Sequence, residues 1–261
     1  MLLAVDVGNT QMAVGLFEGA ELRAECRITT DRRKTHDEYG LLFVELLAHQ
    51  GFKASDVDGV VICSSVPPVV ATLEWMCQKY FNRKPLMVGP GIKTGMVVRY
   101  DNPREVAADR IVTAVGALDR YGGPLVVVDF GTTATILDVI SAKGEYLGGC
   151  IAPGVALSVE ALFTQASKLP RIELVRPATT LARNTVHAMQ SGVIFGFAAQ
   201  VDALIERIEE ELGAPVTVVA TGDQAEILIE ELDRVTEVDP FLCLRGLRII
   251  AERNGVRGER D

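Results

Sequence analysis

The sequence predicts an α/β fold built from two copies of one unit, each with a sheet that mixes antiparallel and parallel strands. The first observation is an internal repeat: residues 3–22 (LAVDVGNTQMAVGLFEGAEL) match residues 126–146 (VVVDFGTTATILDVISAKGEY). Each copy alternates as strand, tight turn, strand, polar turn and strand, which predicts an antiparallel meander. The second observation is that a helical segment and then a strand, a small-residue turn and a helix follow each meander.

The first meander is followed by a helix and a buried strand. Residues 29–51 carry apolar side chains at helical spacing and end at Gly51, a residue type common after the last helical turn. Residues 57–70 (VDGVVICSSVPPVV) predict a buried strand and then a helix that begins at a proline. These segments complete the first copy of the unit.

A further helix is predicted from the segment DNPREVAADRI. Asn102 suits the N-cap, Pro103 suits the first helical position, and Glu105 stands where a capping box places its acid. Asp109 and Arg110 are therefore expected about two turns into this helix. Taken alone, they are equally consistent with a solvated polar face.

The second half repeats the order of elements found in the first. Residues 184–215 predict a long helix closed by Gly213 and Pro215, and residues 216–232 predict a strand, a small-residue turn and a helix. The matched halves predict two domains, residues 1–118 and residues 119–261.

Composition narrows the class of protein. The net charge of −9 argues against non-specific binding to nucleic acid. No apolar run of about 18 residues stands out as a membrane span, and the N-terminus lacks the pattern of a signal peptide, so we expect a cytoplasmic protein without a membrane partner. The five cysteines are widely spaced and form no C-x-x-C pair, so neither a disulfide framework nor a zinc site is expected. Cys63 and Cys150 are interpreted as small buried hydrophobic residues.

The pattern D-x-G-x-T occurs in both copies, at residues 6–10 (DVGNT) and 129–133 (DFGTT). Each pattern places a carboxylate at the end of a strand beside a turn whose glycine permits close backbone approach. Small polar side chains at these turns can donate hydrogen bonds to phosphate oxygens, and a carboxylate can hold a magnesium ion through water. Two such turns predict a clamp for a polyphosphate in a cleft between the two domains.

The chain resembles the actin-like ATPase and sugar-kinase superfamily, whose members have duplicated ribonuclease-H-like domains with ATP between them. Within it, the sequence is similar along nearly its whole length to type III pantothenate kinases. The resemblance implies ribonuclease-H-like domains with mixed five-stranded sheets. The matching motifs are DVGNT (6–10), TxxxxTxDEY (30–39), YDNPREVAADRI (100–111), VVDFGTTAT (127–135), YLGGCIAPG (146–154), KLPRIEL (168–174), NTVHAMQSG (184–192), VVATG (218–222) and DPFLCLRGL (239–247).

The family resemblance implies an activity: ATP-dependent phosphorylation of pantothenate to 4'-phosphopantothenate, the first step of coenzyme A biosynthesis. It further implies ATP with Mg²⁺ or another divalent cation, a monovalent cation (K⁺ or NH₄⁺), and a homodimer in which the partner subunit completes the pantothenate site. Two rival functions stay open: an actin-fold kinase for another small hydroxy or carboxy substrate, and a non-catalytic kinase-like regulator.

The resemblance also assigns roles to residues of this chain. Asp109 is the expected catalytic base, Asp129 the monovalent-cation ligand and Asp6 a divalent-cation ligand through water. The implied substrate-binding residues are Tyr100, Ala107, Ala108, Asp109, Arg110 and Thr185. The implied ATP-binding residues are Asp6, Val7, Gly8, Asn9, Thr10, Gln11, Met12, Ala13 and Thr132.

Several of these residues also have structural explanations. Tyr100 is consistent with an aromatic side chain at a core boundary, Thr185 with a helix cap, and Asp129 with an acid that caps the Gly131 turn. The loop residues Arg32, Arg33 and Lys34 read as a solvated loop.

Two positions depart from the family pattern. Ala107 replaces the usual glycine before the aspartate, where its methyl group favours the predicted helix by roughly 1 kcal/mol and crowds a backbone contact to the substrate. Asp223 replaces a second glycine and adds an acid near the expected adenine side of the ATP site.

Overall fold

The computed structural model describes residues 1–256 and divides into two compact units. The first unit contains Met1–Asp119 together with the chain from Phe241 onward, and the second contains Arg120–Pro240. The predicted second domain, residues 119–261, therefore differs from the second unit at its C-terminal end. Of that domain, residues 257–261 lie outside the described residues.

The first unit is built on a mixed sheet of five strands in the order β3-β2-β1-β4-β5. Strands β1, β2 and β3 pair antiparallel, whereas β4 runs parallel to β1 and β5 parallel to β4. The strands are β1 (Leu2–Val7), β2 (Gln11–Glu18), β3 (Glu21–Thr29), β4 (Gly59–Ser64) and β5 (Leu86–Met87), and a short strand β6 (Val97–Val98) follows them in the chain. The helices are α1 (His36–His49), α2 (Pro67–Met76), α3 (Ala108–Tyr121) and, at the end of the described chain, α7 (Leu242–Arg253).

The second unit repeats this arrangement. Its strands lie in the order β11-β10-β7-β8-β9, with β7, β8 and β9 antiparallel and β10 parallel to both β7 and β11. The sheet has six strands in all, one more than predicted. The strands are β7 (Leu125–Phe130), β8 (Ala134–Ile140), β9 (Glu145–Pro153), β10 (Thr217–Thr221) and β11 (Glu237–Val238), and the helices are α4 (Val155–Gln165), α5 (Thr185–Leu212) and α6 (Ala225–Leu228).

Local capping explains where the principal helices begin and end. Thr35 and Glu38 form a capping box at the start of α1, in which the Glu38 amide donates to Thr35 Oγ1 over 3.3 Å. The side chain of Asn184 caps α5, accepting a hydrogen bond of 2.9 Å from the His187 amide. Helix α5 ends at Gly213, whose φ of +66° lies in the left-handed region that glycine adopts without strain.

Helix α7 packs in the first unit because it crosses α3 at two glycines. A Cβ atom on Gly246 would lie 1.9 Å from the carbonyl oxygen of Val112, and one on Gly116 would lie 2.2 Å from the carbonyl oxygen of Leu242. Only glycine lets two helix backbones approach this closely. The structure places this segment in the first unit, where it contacts α3 and the first sheet.

Helix α5 has 28 residues and a mean hydropathy of 1.3 over its most apolar window, so by length and composition alone it passes as a membrane span. One side of α5, with Val193, Ile194 and Val201, is buried in the core of the second unit. Buried core helices meet the same criteria of length and composition. No other helix in residues 1–256 meets them.

Candidate active site

The β1–β2 turn presents Asp6 beside closely packed backbone. Asp6 is the fifth residue of β1 and is half-buried, with its Cα paired to those of Ala13 and Cys63 on the neighbouring strands. The amide of Gly8 donates to the carbonyl oxygen of Gln11 over 2.9 Å, and a Cβ on Gly8 would lie 3.0 Å from that oxygen. The turn is therefore tight, as the D-x-G-x-T pattern predicts.

The β7–β8 turn has the same local geometry. Asp129 is the fifth residue of β7, and a Cβ on Gly131 would lie 3.0 Å from the carbonyl oxygen of Ala134. The start of α4 is tied to this turn, because the amide of Leu157 donates to the carbonyl oxygen of Thr132 over 3.3 Å. The internal repeat thus extends from the sequence to the shape of the two turns.

The turn after β10 closes on Asp129 within the second unit. Gly222 has a φ of +92°, and a Cβ there would lie 2.3 Å from Asp129 Oδ1 and 2.7 Å from the backbone of Phe130. A side chain at this position would displace the carboxylate. The neighbouring Asp223 is exposed and interacts with other groups of the protein. The replacement of the family's second glycine by Asp223 therefore adds an acid on the surface of this turn.

In the first unit, the negative charges of Asp6 and Asp109 both act on two thiols, those of Cys63 and Cys243. The thiol of Cys243, in the first turn of α7, donates a hydrogen bond to the Asp6 carboxylate. Burial raises the pKa of the Cys63 thiol, and the negative charges of Asp6 and Asp109 raise it further. The pKa of Cys243 is also raised, first by burial and then by Asp6, Cys63 and Asp109. Both carboxylates thus act on the same pair of neutral thiols.

Asp109 lies in the first turn of α3, and the prediction that it lies two turns into a helix is wrong. Residues Pro103–Glu105 form a separate 3₁₀ turn capped by Asn102, and the extended backbone of Val106 ends it before α3 begins at Ala108. One Asp109 carboxylate oxygen, Oδ1, accepts a hydrogen bond of 2.9 Å from the Arg110 amide. The N-terminus of a helix favours a negatively charged carboxylate.

The positions around Asp109 differ in exposure. Ala107 precedes α3 and is exposed, so its methyl group does not stabilise that helix as the sequence suggested. Ala108 is the first residue of α3 and is half-buried, whereas Arg110 is buried. Tyr100 is half-buried in the bend after β6 and has interactions within the described residues.

Thr185 lies in the second unit as the first residue of α5, and the N-cap role belongs to Asn184. Thr185 is exposed and lines an apolar groove of about 1080 Å³ between α4 and α5. Leu157, Leu162 and Met189 are among the other residues of this groove.

Within residues 1–256, no group of three or more His, Cys, Asp or Glu side chains is arranged to hold a metal ion. A magnesium ion in a nucleotide site is bound by one or two carboxylates together with phosphate oxygens and water, so a single half-buried acid suffices. Asp6 fits this chemistry through its carboxylate oxygens.

Comparison with known proteins identifies the family. The family model of type III pantothenate kinases matches residues 2–207. The chain belongs to the type III pantothenate kinase family. This kinase is 63% identical to type III pantothenate kinase 2 of Symbiobacterium thermophilum, over 97% of each chain. It is 52% identical to the type III pantothenate kinase of Myxococcus xanthus, over 97% of this chain and 99% of the relative. The predicted family, enzyme class and pantothenate kinase function are confirmed.

The fold of this kinase is shared with distant solved structures. The activator of the 2-hydroxyisocaproyl-CoA dehydratase from Clostridium difficile, solved with bound ADPNP, superposes with a TM-score of 0.55 at 11% identity, covering 100% of this chain and 99% of the other. The predicted α/β fold of actin-like ATPases and sugar kinases is confirmed.

The contact between Cys243 and Asp6 is the feature of the site that sequence analysis missed. Cys63 is fully buried as predicted, but it adjoins Asp6 on the next strand, and Cys150 is half-buried. Cys243 lies in the segment DPFLCLRGL, which the sequence analysis singled out as a motif without assigning a role to its cysteine.

Proposed function

We propose that this kinase transfers the terminal phosphoryl group of ATP to the hydroxyl group of pantothenate, with Asp109 as the general base. The observation that carries this proposal is that Asp6, paired with Cys63 on the neighbouring strand, and Asp109 both act electrostatically on the thiols of Cys63 and Cys243. Asp6 stands just before a tight turn suited to phosphate, and Asp109 stands in the first turn of helix α3. Phosphoryl transfer requires a phosphate site and a positioned acceptor of the hydroxyl proton in close proximity.

Asp109 is suited to orient and deprotonate the acceptor hydroxyl. Asp109 Oδ1 is held by the Arg110 amide, which fixes the rotation of the carboxyl group. The hydroxyl group of the substrate would donate its hydrogen bond to the carboxylate and lose the proton to it as the new O–P bond forms. We assign Tyr100, Ala107, Ala108, Arg110 and Thr185 to pantothenate, with the Arg110 guanidinium as partner of its carboxylate.

The two hairpin turns are the proposed phosphate-binding elements. Their backbone amides and small polar side chains suit phosphate oxygens, and Asp6 is the proposed ligand, through water, of the divalent cation that accompanies ATP. That cation supplies positive charge to the phosphates when bound. The proposed nucleotide residues are Asp6, Val7, Gly8, Asn9, Thr10, Gln11, Met12, Ala13 and Thr132.

Asp129 is the proposed ligand of a monovalent cation, K⁺ or NH₄⁺. The Gly222 turn shapes the space around its carboxylate, which supports a role that depends on the position of that group. Activity is then expected to rise when K⁺ replaces Na⁺ at equal ionic strength.

An assay of ADP release tests the proposed reaction directly. With ATP, Mg²⁺ and pantothenate, we expect ADP to form only when pantothenate is present, and 4'-phosphopantothenate to appear by mass spectrometry. A panel of other small hydroxy and carboxy compounds serves as the comparison. If another compound supports faster ADP release than pantothenate does, the protein is a kinase of different specificity. If no compound supports turnover, the protein is a regulator.

The net charge of −9 opposes a role in binding nucleic acid. We place the reaction in the cytoplasm, where ATP is available.

We also propose that the protein is a homodimer that uses the apolar groove of the second unit. Leu157 and Leu162 are 47% and 39% exposed in this groove, and large exposed apolar patches mark interaction sites. Thr185, a proposed pantothenate residue, lines the same groove. Pairing through this surface would therefore bring a second chain next to the substrate.

Introducing a charge into the groove is expected to separate the dimer. Leu162→Asp would bury an unpaired carboxylate in an apolar interface, which costs several kcal/mol. Sedimentation equilibrium should then give a monomer, with a raised KM for pantothenate. The control is Leu41→Asp, since Leu41 on α1 is 56% exposed in the first unit and should leave the dimer intact. A dimer that persists in Leu162→Asp would refute this interface.

A further inference from the structure

We propose that Arg32 is a specificity-determining residue that contacts the terminal phosphate of ATP. The inference rests on the proposed function, because it takes the β1–β2 turn as the phosphate-binding element. It adds a cationic side chain from a neighbouring loop, residues 30–34, to a site otherwise described by acids, amides and hydroxyl groups.

The loop that carries Arg32 is fastened to the β1–β2 turn. The amide of Thr30 donates to the carbonyl oxygen of Thr10 over 2.9 Å, and Thr30 Oγ1 donates to the carbonyl oxygen of Gly8 over 2.8 Å. The buried Tyr39 holds the next residue, because its hydroxyl group accepts from the Asp31 amide and donates to the Asp31 carbonyl, each over 2.9 Å. Arg32 therefore projects from a loop that is anchored on both sides of the turn.

The three consecutive cations of this loop have different surroundings. Arg33 is paired with Asp31, through Nε to Oδ1 and Nη2 to Oδ2, both at 3.1 Å. Lys34 Nζ lies 5.5 Å from the centroid of the Tyr39 ring. Arg32 instead faces the turn, with Nη2 at 3.5 Å from Asn9 Oδ1, and it has no carboxylate partner in the part of the chain that the structure describes. Of the three, Arg32 alone is directed at the proposed phosphate site.

The contact between Arg32 and Asn9 is one that a phosphate oxygen can replace. The separation of 3.5 Å is at the long limit of a hydrogen bond and joins a charged group to a neutral amide, so it is weak. A guanidinium–phosphate pair is a charge-assisted hydrogen bond, roughly twice as strong as a neutral one. The site also needs cations, because the chain carries a net charge of −9 and ATP adds further negative charge.

The test compares Arg32→Ala, Arg32→Lys and the matched control Arg33→Ala, all measured with the full-length kinase. Removing a charged hydrogen bond is expected to lower kcat/KM for ATP about 10- to 100-fold in Arg32→Ala. Arg32→Lys should recover part of this loss, and Arg33→Ala should stay within about twofold of wild type. The KM for pantothenate should be unchanged in all three.

Calorimetric binding with Mg²⁺ separates this inference from the proposed function, because it needs no turnover. Arg32→Ala should bind ATP more weakly than wild type while binding ADP equally well, since ADP lacks the terminal phosphate. Equal ATP affinity in wild type and Arg32→Ala would overturn the proposal, and so would an equal loss in Arg33→Ala. A wild-type chain that binds ATP but does not phosphorylate pantothenate would refute the proposed reaction and leave the role of Arg32 standing.

Discussion

Replacement of Asp109 by asparagine is expected to lower kcat for pantothenate phosphorylation about 10²- to 10⁴-fold, the usual loss when a positioned general base is removed. Asparagine keeps the size of the side chain and an oxygen that can accept the hydrogen bond from the Arg110 amide. It cannot take the proton of the acceptor hydroxyl, so the deficit should appear in kcat, with KM for ATP little changed.

Steady-state kinetics and circular dichroism together test this expectation. The matched control is Asp119→Asn, because Asp119 is an exposed acid on the same helix. Asp119→Asn should behave as wild type in both measurements. Near wild-type turnover in Asp109→Asn would remove Asp109 from the proposed mechanism, and a lost helical signal would assign it a structural role instead.

Replacement of Gly246 by alanine is expected to destabilise the first unit and to impair catalysis together. The added Cβ would lie 1.9 Å from the carbonyl oxygen of Val112 and 2.7 Å from its carbonyl carbon, both rigid backbone atoms. Helix α7 must then move away from α3, and overpacking of this kind costs about 1–3 kcal/mol. Because α7 carries Cys243, the same shift would disturb the hydrogen bond to Asp6.

Urea denaturation of both the variant and a matched glycine replacement measures this effect. Gly196→Ala is the control, because Gly196 lies within α5 and a Cβ there meets no atom within 4 Å. Replacing a helical glycine by alanine in open space stabilises by up to about 1 kcal/mol. The two variants should therefore shift the free energy of unfolding in opposite directions. Equal shifts would show that the α3–α7 crossing is not as close as the structure has it.

Local chemistry made much of the fold and part of the site predictable. The repeated meanders follow from alternating apolar residues. The turns at Gly8 and Gly131 follow from D-x-G-x-T, a pattern that is only five residues long. Asn102 was correctly placed as a cap, yet the helix that follows it begins only at Ala108. Capping signals mark where a helical turn starts, but they do not determine how far that turn continues.

The sequence by itself determined the duplicated α/β plan, the two acidic turns and the family, because strand alternation, turn chemistry and family motifs are all properties of short segments. Only the tertiary structure decided that α7 joins the first unit and that Cys243 contacts Asp6. Cys243 and Asp6 lie more than 200 positions apart, and the crossing of α3 and α7 joins residues more than 120 positions apart through the close approach of Gly116 and Gly246 to facing backbone. Such packing is set by the three-dimensional fit of whole elements, which no local pattern encodes.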